Sequence, residues 1–168
     1  MKPLIFNATP LIFLGKINVL EKITHFPEEK YTLESVYQEV VVEGKKSGNP
    51  EAFLIENLLD AGILKIKTLT DNRYVAHLKE NPRIHSGDAE VLAMALELDG
   101  IALLDDEEAR GMAEIKGIEH HGTIYLLLRM MKIGLLTKEE TIDSLDEMLR
   151  MGWRCSTELY AGILKAVK

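Results

Sequence analysis

The sequence predicts a three-layer α/β/α domain, with a central parallel sheet of about four or five strands, and three observations carry that expectation. Short apolar runs alternate with helix-patterned stretches along the chain, as expected of strands joined by right-handed helical crossovers. Polar or acidic residues stand where apolar runs end: Asn7 after residues 3–6, and Asp105 with Asp106 after residues 101–104. The 168 residues contain no repeat, low-complexity tract or evident linker, so one compact core is expected.

The elements follow in order. Residues 3–6 read as a buried strand ending at Asn7. Thr9 is placed to cap the next helix, with Pro10 at its first position. The apolar pattern of that helix, running through Leu11, Leu14, Ile17, Leu20 and Ile23, is interrupted near Gly15 and Asn18 and broken at Pro27. Residues 31–33 make a short second strand. In SVYQEVVVEG, Val36 with Val40 and Tyr37 with Val41 share helical spacing, and Gly44 is expected to stop the helix. Glu39 sits among these apolar neighbours and points either to solvent or towards the sheet edge. Residues 51–60 form another helix, and residues 63–69 alternate apolar positions with Lys65 and Lys67, as a strand does. Residues 72–79 read as a helix broken before Pro82.

The stretch SGDAEVLAMALELDGIALLDDEEAR, residues 86–110, organises the rest. It reads as a helix opened by Asp88, a turn at Asp99 and Gly100, the strand 101–104, and two carboxylates where the next helix begins. That helix, 107–115, ends at Gly117, and 118–121 is a last short strand. Helices then run over 123–131, from a cap at Thr137 to about Met151, and over 156–167.

Composition narrows the function. At 46% hydrophobic and 28% charged residues the chain is expected to be globular rather than disordered. The single cysteine, Cys155, excludes an internal disulfide and a Cys-rich zinc site, so a reducing cytoplasm is the expected compartment. The apolar opening MKPLIFNATPLIFLG lacks the basic region and long apolar core of a secretory leader, and nothing approaches a membrane span. The net charge of -7 disfavours broad binding to polyanions but is compatible with a nuclease, whose clustered acids are neutralised by cations. A basic protein partner suits the same surface.

In open parallel sheets, strand C-termini and the N-termini of the following helices share one edge, where ligands bind. Asp88 there is either a first-turn acid satisfying the helix dipole or a site residue. Asp105, with Glu108 three positions on, approximates a capping box, but two adjacent acids after an apolar strand repel each other and one cap needs only one of them. Oxygen-only donors gathered in this way suit magnesium or manganese, and phosphodiester hydrolysis is the chemistry such ions support. Glu90, two positions from Asp88, points away from it on a regular helix. His120 and His121 alternate along a strand and cannot chelate one ion together. Thr123 either caps its helix or orients groups at the site. Lys45 and Lys46, and Arg129 with Lys132, are short basic spots expected at solvated surface. No Gly-rich phosphate loop or Ser-His-Asp pattern is present.

At this point the chain resembles a family. FNATPLI resembles the first motif of PIN-domain proteins, SVYQEV the second, DAEVLAMALE the third and IALLDDEEAR the fourth, and the segments HHGTIYLLLRMMKIGLLTKEE and MGWRCSTELYAGILKAVK resemble the C-terminal part of small stand-alone prokaryotic members. The resemblance implies one PIN-like domain over residues 1–168, with a helical C-terminal extension from about residue 137. It further implies a divalent-metal-dependent ribonuclease acting on single-stranded RNA, similar to VapC-like toxins, with a small antitoxin partner and a homodimer as common associations. Matched motif by motif, Glu39, Asp88 and Asp106 would be metal-site and catalytic acids, with Asp105 beside them, and Thr9 and Thr123 ordering the site. Magnesium or manganese would be the cofactor.

One position departs from the pattern. Asn7 stands where the family carries its first aspartate. An amide oxygen can ligate a hard cation, but a full charge is lost. At ~4 Å and an effective dielectric of ~20 that charge would interact with a dication by roughly 8 kcal/mol, most of it offset by hydration. The alternative expectation is therefore a catalytically inactive PIN-like module binding nucleic acid or a protein partner. A metal-dependent phosphatase of another α/β family is a third, with no phosphate loop to support it.

Overall fold

A computed structural model describes residues 1–168. Its sheet has five strands in the order β3-β2-β1-β4-β5, all parallel. They are β1 (Leu4–Phe6), β2 (Lys30–Thr32), β3 (Leu64–Ile66), β4 (Ile101–Leu103) and β5 (His120–His121). The two central strands are buried along their whole length, as the uninterrupted apolar runs LIF and IAL require. The pairing aligns Ile5 with Ala102 and Phe6 with Leu103, so the chain leaves β1 and β4 side by side.

The chain winds outward from β1 in one direction and from β4 in the other, so the strand order reverses between these two. That reversal opens a crevice at their carboxyl ends. Helices α1 (Ala8–Lys16) and α4 (Glu51–Asp60) pack on one another with α8 (Thr123–Lys132), while α6 (Ser86–Glu97) packs against β1 and β4 with α5 (Arg73–Leu78) and α7 (Glu107–Lys116) beside it. The result is the expected three-layer arrangement. Helices α9 (Lys138–Arg150) and α10 (Thr157–Val167) follow, and Leu145, Met148, Ile163 and Val167 join the same buried cluster as the sheet residues.

Most elements fall within a residue or two of expectation, and the differences have local causes. Thr9 does not cap α1. Asn7 does, its side chain accepting from the Ala8 N–H, so the helix begins two residues earlier. The helix does not continue to Ile23: α1 ends at Lys16, Asn18 takes a positive φ of 56°, and Leu20–His25 form a 3-10 turn.

Gly44 does not stop its helix either. Glu34–Tyr37 (α2), a π-helical stretch Gln38–Glu43 and Gly44–Lys46 (α3) run on without a break. A Cβ at Gly44 would come 3.0 Å from the Cβ of Ala52, so glycine there serves close packing against α4. The wider π turn lets Val36, Val40 and Val41 all stay buried. The expected strand over 63–69 is only Leu64–Ile66. At the far end, α9 carries a full capping box between Thr137 and Glu140, and Ser156 caps α10.

Candidate functional site

At the crevice between β1 and β4 lies a cavity of about 240 Å³ lined by Asn7, Ala8, Thr9, Glu39, His85, Gly87, Asp88, Asp105 and Asp106. Four segments distant in sequence therefore converge on one edge of the sheet. A larger depression, about 520 Å³, opens at the end of α1 and the start of α4, but Glu51 is its one carboxylate. Convergent acids distinguish the smaller cavity, and size does not.

Asn7 leaves β1 with its backbone N–H donating to Leu103 O at 3.0 Å, which fixes it on the rim. Its side-chain oxygen accepts from Ala8 N at 2.8 Å, and its amide nitrogen donates to Asp88 Oδ1 at 2.5 Å. The first bond decides the orientation of the amide: reversed, the NH2 would face the Ala8 N–H and two oxygens would face each other.

Asp88 is in the third position of α6, not at its cap, which is His85. Its residue is 5% exposed, and burial, followed by the nearby charge of Asp106, raises its carboxyl from 3.8 to about 6. Glu39 adds to the rise, whereas His85 and the Asn7 bond oppose it. Asp88 therefore feels both other acids of the cavity. Glu39 comes from the first turn of the π-helical stretch, exposed on its helix but lining the cavity.

The tandem acids divide the work. Asp106, and not Asp105, caps α7, accepting from Ala109 N at 2.9 Å through one oxygen. That bond leaves its second oxygen for the cavity. Asp105 is engaged at both oxygens: one accepts from Thr123 N at 2.8 Å, the other from Thr123 Oγ1 at 2.5 Å and from Trp153 Nε1 at 3.3 Å. A Cβ at Gly122 would lie 2.5 Å from Asp105 Oδ1, so only glycine lets the backbone come this close. Asp105 thus ties the end of β4 to the start of α8 and to the segment after α9. Thr123, fully buried, orients Asp105 and does not line the cavity, whereas Thr9 lines the cavity from the first turn of α1.

Other residues singled out in the sequence lie outside the cavity. The Ser35 hydroxyl donates to Glu90 on the far side of α6. His120 meets Ile118 O, and His121 stacks on Tyr125 with centroids 3.9 Å apart. The basic spots have acidic partners within the chain: Lys45 with Glu56, Lys46 with Glu43 at 2.8 Å, and Arg129 with Glu28 at 2.7 Å. His85 and Trp153 are participants that sequence reasoning missed. His85 carries no motif, and the contact of Trp153 spans 48 residues.

The fit of a divalent cation can be judged from these donors. No three His, Cys, Asp or Glu side chains stand close enough to form a cage. Magnesium needs none, since it keeps several waters and binds proteins through one or two carboxylates with substrate phosphate completing the shell. Asp88 and the second oxygen of Asp106 fit that requirement, with Glu39 in support. Asp105 is less suited, because both its oxygens already accept hydrogen bonds.

The chain is a parallel α/β domain with acids gathered at the carboxyl edge of its sheet. A family model described as PIN domain matches residues 3–168, and the chain belongs to the PIN-domain family. No curated protein and no solved structure gave a match. No helix is long and apolar enough to cross a membrane.

Proposed function

We propose that this chain is a divalent-metal-dependent ribonuclease of low intrinsic activity that hydrolyses phosphodiester bonds of single-stranded RNA. The observation that carries the reading is the convergence of Asp88, Asp106 and Glu39 on one cavity at the carboxyl edge of the sheet; the Asp88 carboxyl there is raised by burial first and by Asp106 and Glu39 after it. A buried carboxylate, Asp88, with the partly buried Asp106 and the exposed Glu39 beside it at a sheet's switch point, favours a cation there. Asp88 and Asp106 would hold magnesium or manganese, which when bound offsets charge building on the phosphoryl oxygens and orients a water. Asp106 is held for this by its own cap bond, and Asp88 by α6. Glu39 stands opposite them, placed to accept a proton from a water. His85 and Thr9 line the entrance, where a phosphate oxygen would meet donors.

The proposal extends to a VapC-like setting: one PIN-like domain with a helical extension from about residue 137, a small antitoxin-like partner, a homodimer and a cytoplasmic location. Incubating the protein with labelled single-stranded RNA, with and without manganese, tests the activity. Manganese-dependent cleavage that disappears in Asp88→Asn is the expected result, and equal cleavage by both proteins overturns it.

A second reading has its own observation in favour. Asn7 neutralises the first acidic position and binds Asp88 directly, as suits a PIN-like module that holds RNA or a protein without cutting. Restored cleavage in Asn7→Asp, from an inactive parent, would select that reading.

A further inference from the structure

The geometry of Asn7 gives it a part other than that of a weakened ligand. We infer that the Asn7 amide is the internal competitor of the cation: it occupies Asp88 in the cation's place, so the rim is held together without metal. The inference rests on the proposal that a divalent ion binds at Asp88 and Asp106.

Three observations carry it. The amide oxygen of Asn7 is committed to the Ala8 N–H at 2.8 Å, so it is turned away from the cavity acids. The amide nitrogen then has one place to point, and it donates to Asp88 Oδ1 at 2.5 Å. The Asn7 backbone is itself anchored by its bond to Leu103 O, so the amide cannot withdraw by moving the chain. An ion on the remaining lone pair of this oxygen, or on Oδ2, would stand beside the partial positive charge of the amide NH2, so cation binding at Asp88 is weakened until the amide turns away.

Aspartate at position 7 would reverse the arrangement. One oxygen would still accept from Ala8 N–H, and the other would take the place of the amide nitrogen, facing Asp88 Oδ1 at the same short range. Two carboxylate oxygens that close repel unless a cation lies between them. The asparagine form would be closed without metal and resistant to it, and the aspartate form would be loose without metal and closed by it. The single atom exchanged converts an ion-bridged rim into a hydrogen-bonded one.

The test compares the parent with Asn7→Asp by thermal unfolding and by manganese titration, at about pH 8. In chelator, Asn7→Asp should melt roughly 3–10 °C below the parent. Manganese should raise the variant's melting temperature by most of that difference and the parent's by clearly less. Manganese should also bind the variant at least about tenfold more tightly. Equal stability of the two proteins in chelator, or an equal manganese response, overturns the inference.

Asn7→Ser separates the two causes, because it keeps a short oxygen for capping and removes the donor to Asp88 without adding charge. It should lose stability in chelator without gaining the manganese response, and a manganese response equal to that of Asn7→Asp also overturns the inference. None of these readouts depends on RNA cleavage. If Asp88→Asn abolishes manganese binding to Asn7→Asp while no protein cuts RNA, the competitor role stands and the ribonuclease reading falls.

Discussion

Replacing Asp105 by asparagine separates the two roles a tandem acid can play at this edge. Asparagine has the same shape and keeps one oxygen for the Thr123 N–H, now at 2.8 Å from Asp105. The other oxygen becomes an NH2 group facing two donors, Thr123 Oγ1 and Trp153 Nε1, which lie 2.5 and 3.3 Å from it in the parent. The threonine hydroxyl can rotate and accept instead, but the Trp153 indole cannot, and its residue is 7% exposed. Hydrogen bonds to a charged group contribute about 1.5–3 kcal/mol each, so one bond lost and one weakened should cost roughly 3 kcal/mol. On a chain of this size that lowers the melting temperature by roughly 6–12 °C. Urea unfolding followed by fluorescence reads this well, because Trp153 is the only tryptophan and sits at the perturbed contact. Manganese affinity should change far less than in Asp88→Asn. A variant within about 0.5 kcal/mol of the parent that has lost manganese binding would refute the reasoning and make Asp105 a ligand.

Further predictions concern the same edge. Asp88 has a carboxyl raised from 3.8 to about 6 in the folded protein, so the folded state binds the proton more tightly than the unfolded chain. Without metal, stability should therefore fall as pH rises from about 4 to about 6, by roughly 1–2 kcal/mol, and then level off; urea midpoints across that range should lose this slope in Asp88→Asn. Gly122→Ala adds a Cβ that would lie 2.5 Å from Asp105 Oδ1, and should cost about 1–3 kcal/mol in the same unfolding assay. Because Gly122 has an extended backbone, with φ of -107° and ψ of -176°, that cost comes from crowding and not from a forbidden conformation. Glu39→Gln should leave the melting temperature within about 2 °C of the parent while reducing RNA cleavage, since the residue is exposed on its helix and lines the cavity.

The architecture was legible because burial imposes it locally. Apolar runs such as LIF and IAL can only be buried strands when helices of the right length separate them, and their order gives the parallel sheet. Caps were less legible, since several polar residues stand at each helix start and the backbone angles choose among them. Asn7 took the place expected of Thr9 and Asp106 that of Asp105, whereas Asp88 stands in the first turn of its helix as expected. The π-helical turn at Gln38–Glu43 leaves no composition signal. It is visible only as an excess of buried valines over what one α-helical face accommodates.

The candidate site was readable as a set of acids and unreadable as a division of labour. Which of Asp105 and Asp106 keeps an oxygen without a partner at the cavity depends on Thr123 and on Trp153, and the latter is distant in the chain. The fate of Asn7 depends on a one-residue detail, the Ala8 N–H that turns its amide.

The central claim is that a hard dication, when supplied, binds at Asp88 and Asp106 and not at Asp105. A crystal structure of the protein soaked in manganese, read by its anomalous signal, tests this most directly. The account predicts a peak beside Asp88 and the second oxygen of Asp106, with the Asn7 amide displaced from Asp88 and Asp105 still bonded to Thr123. A peak at Asp105, or manganese bound elsewhere with this rim unchanged, would contradict it.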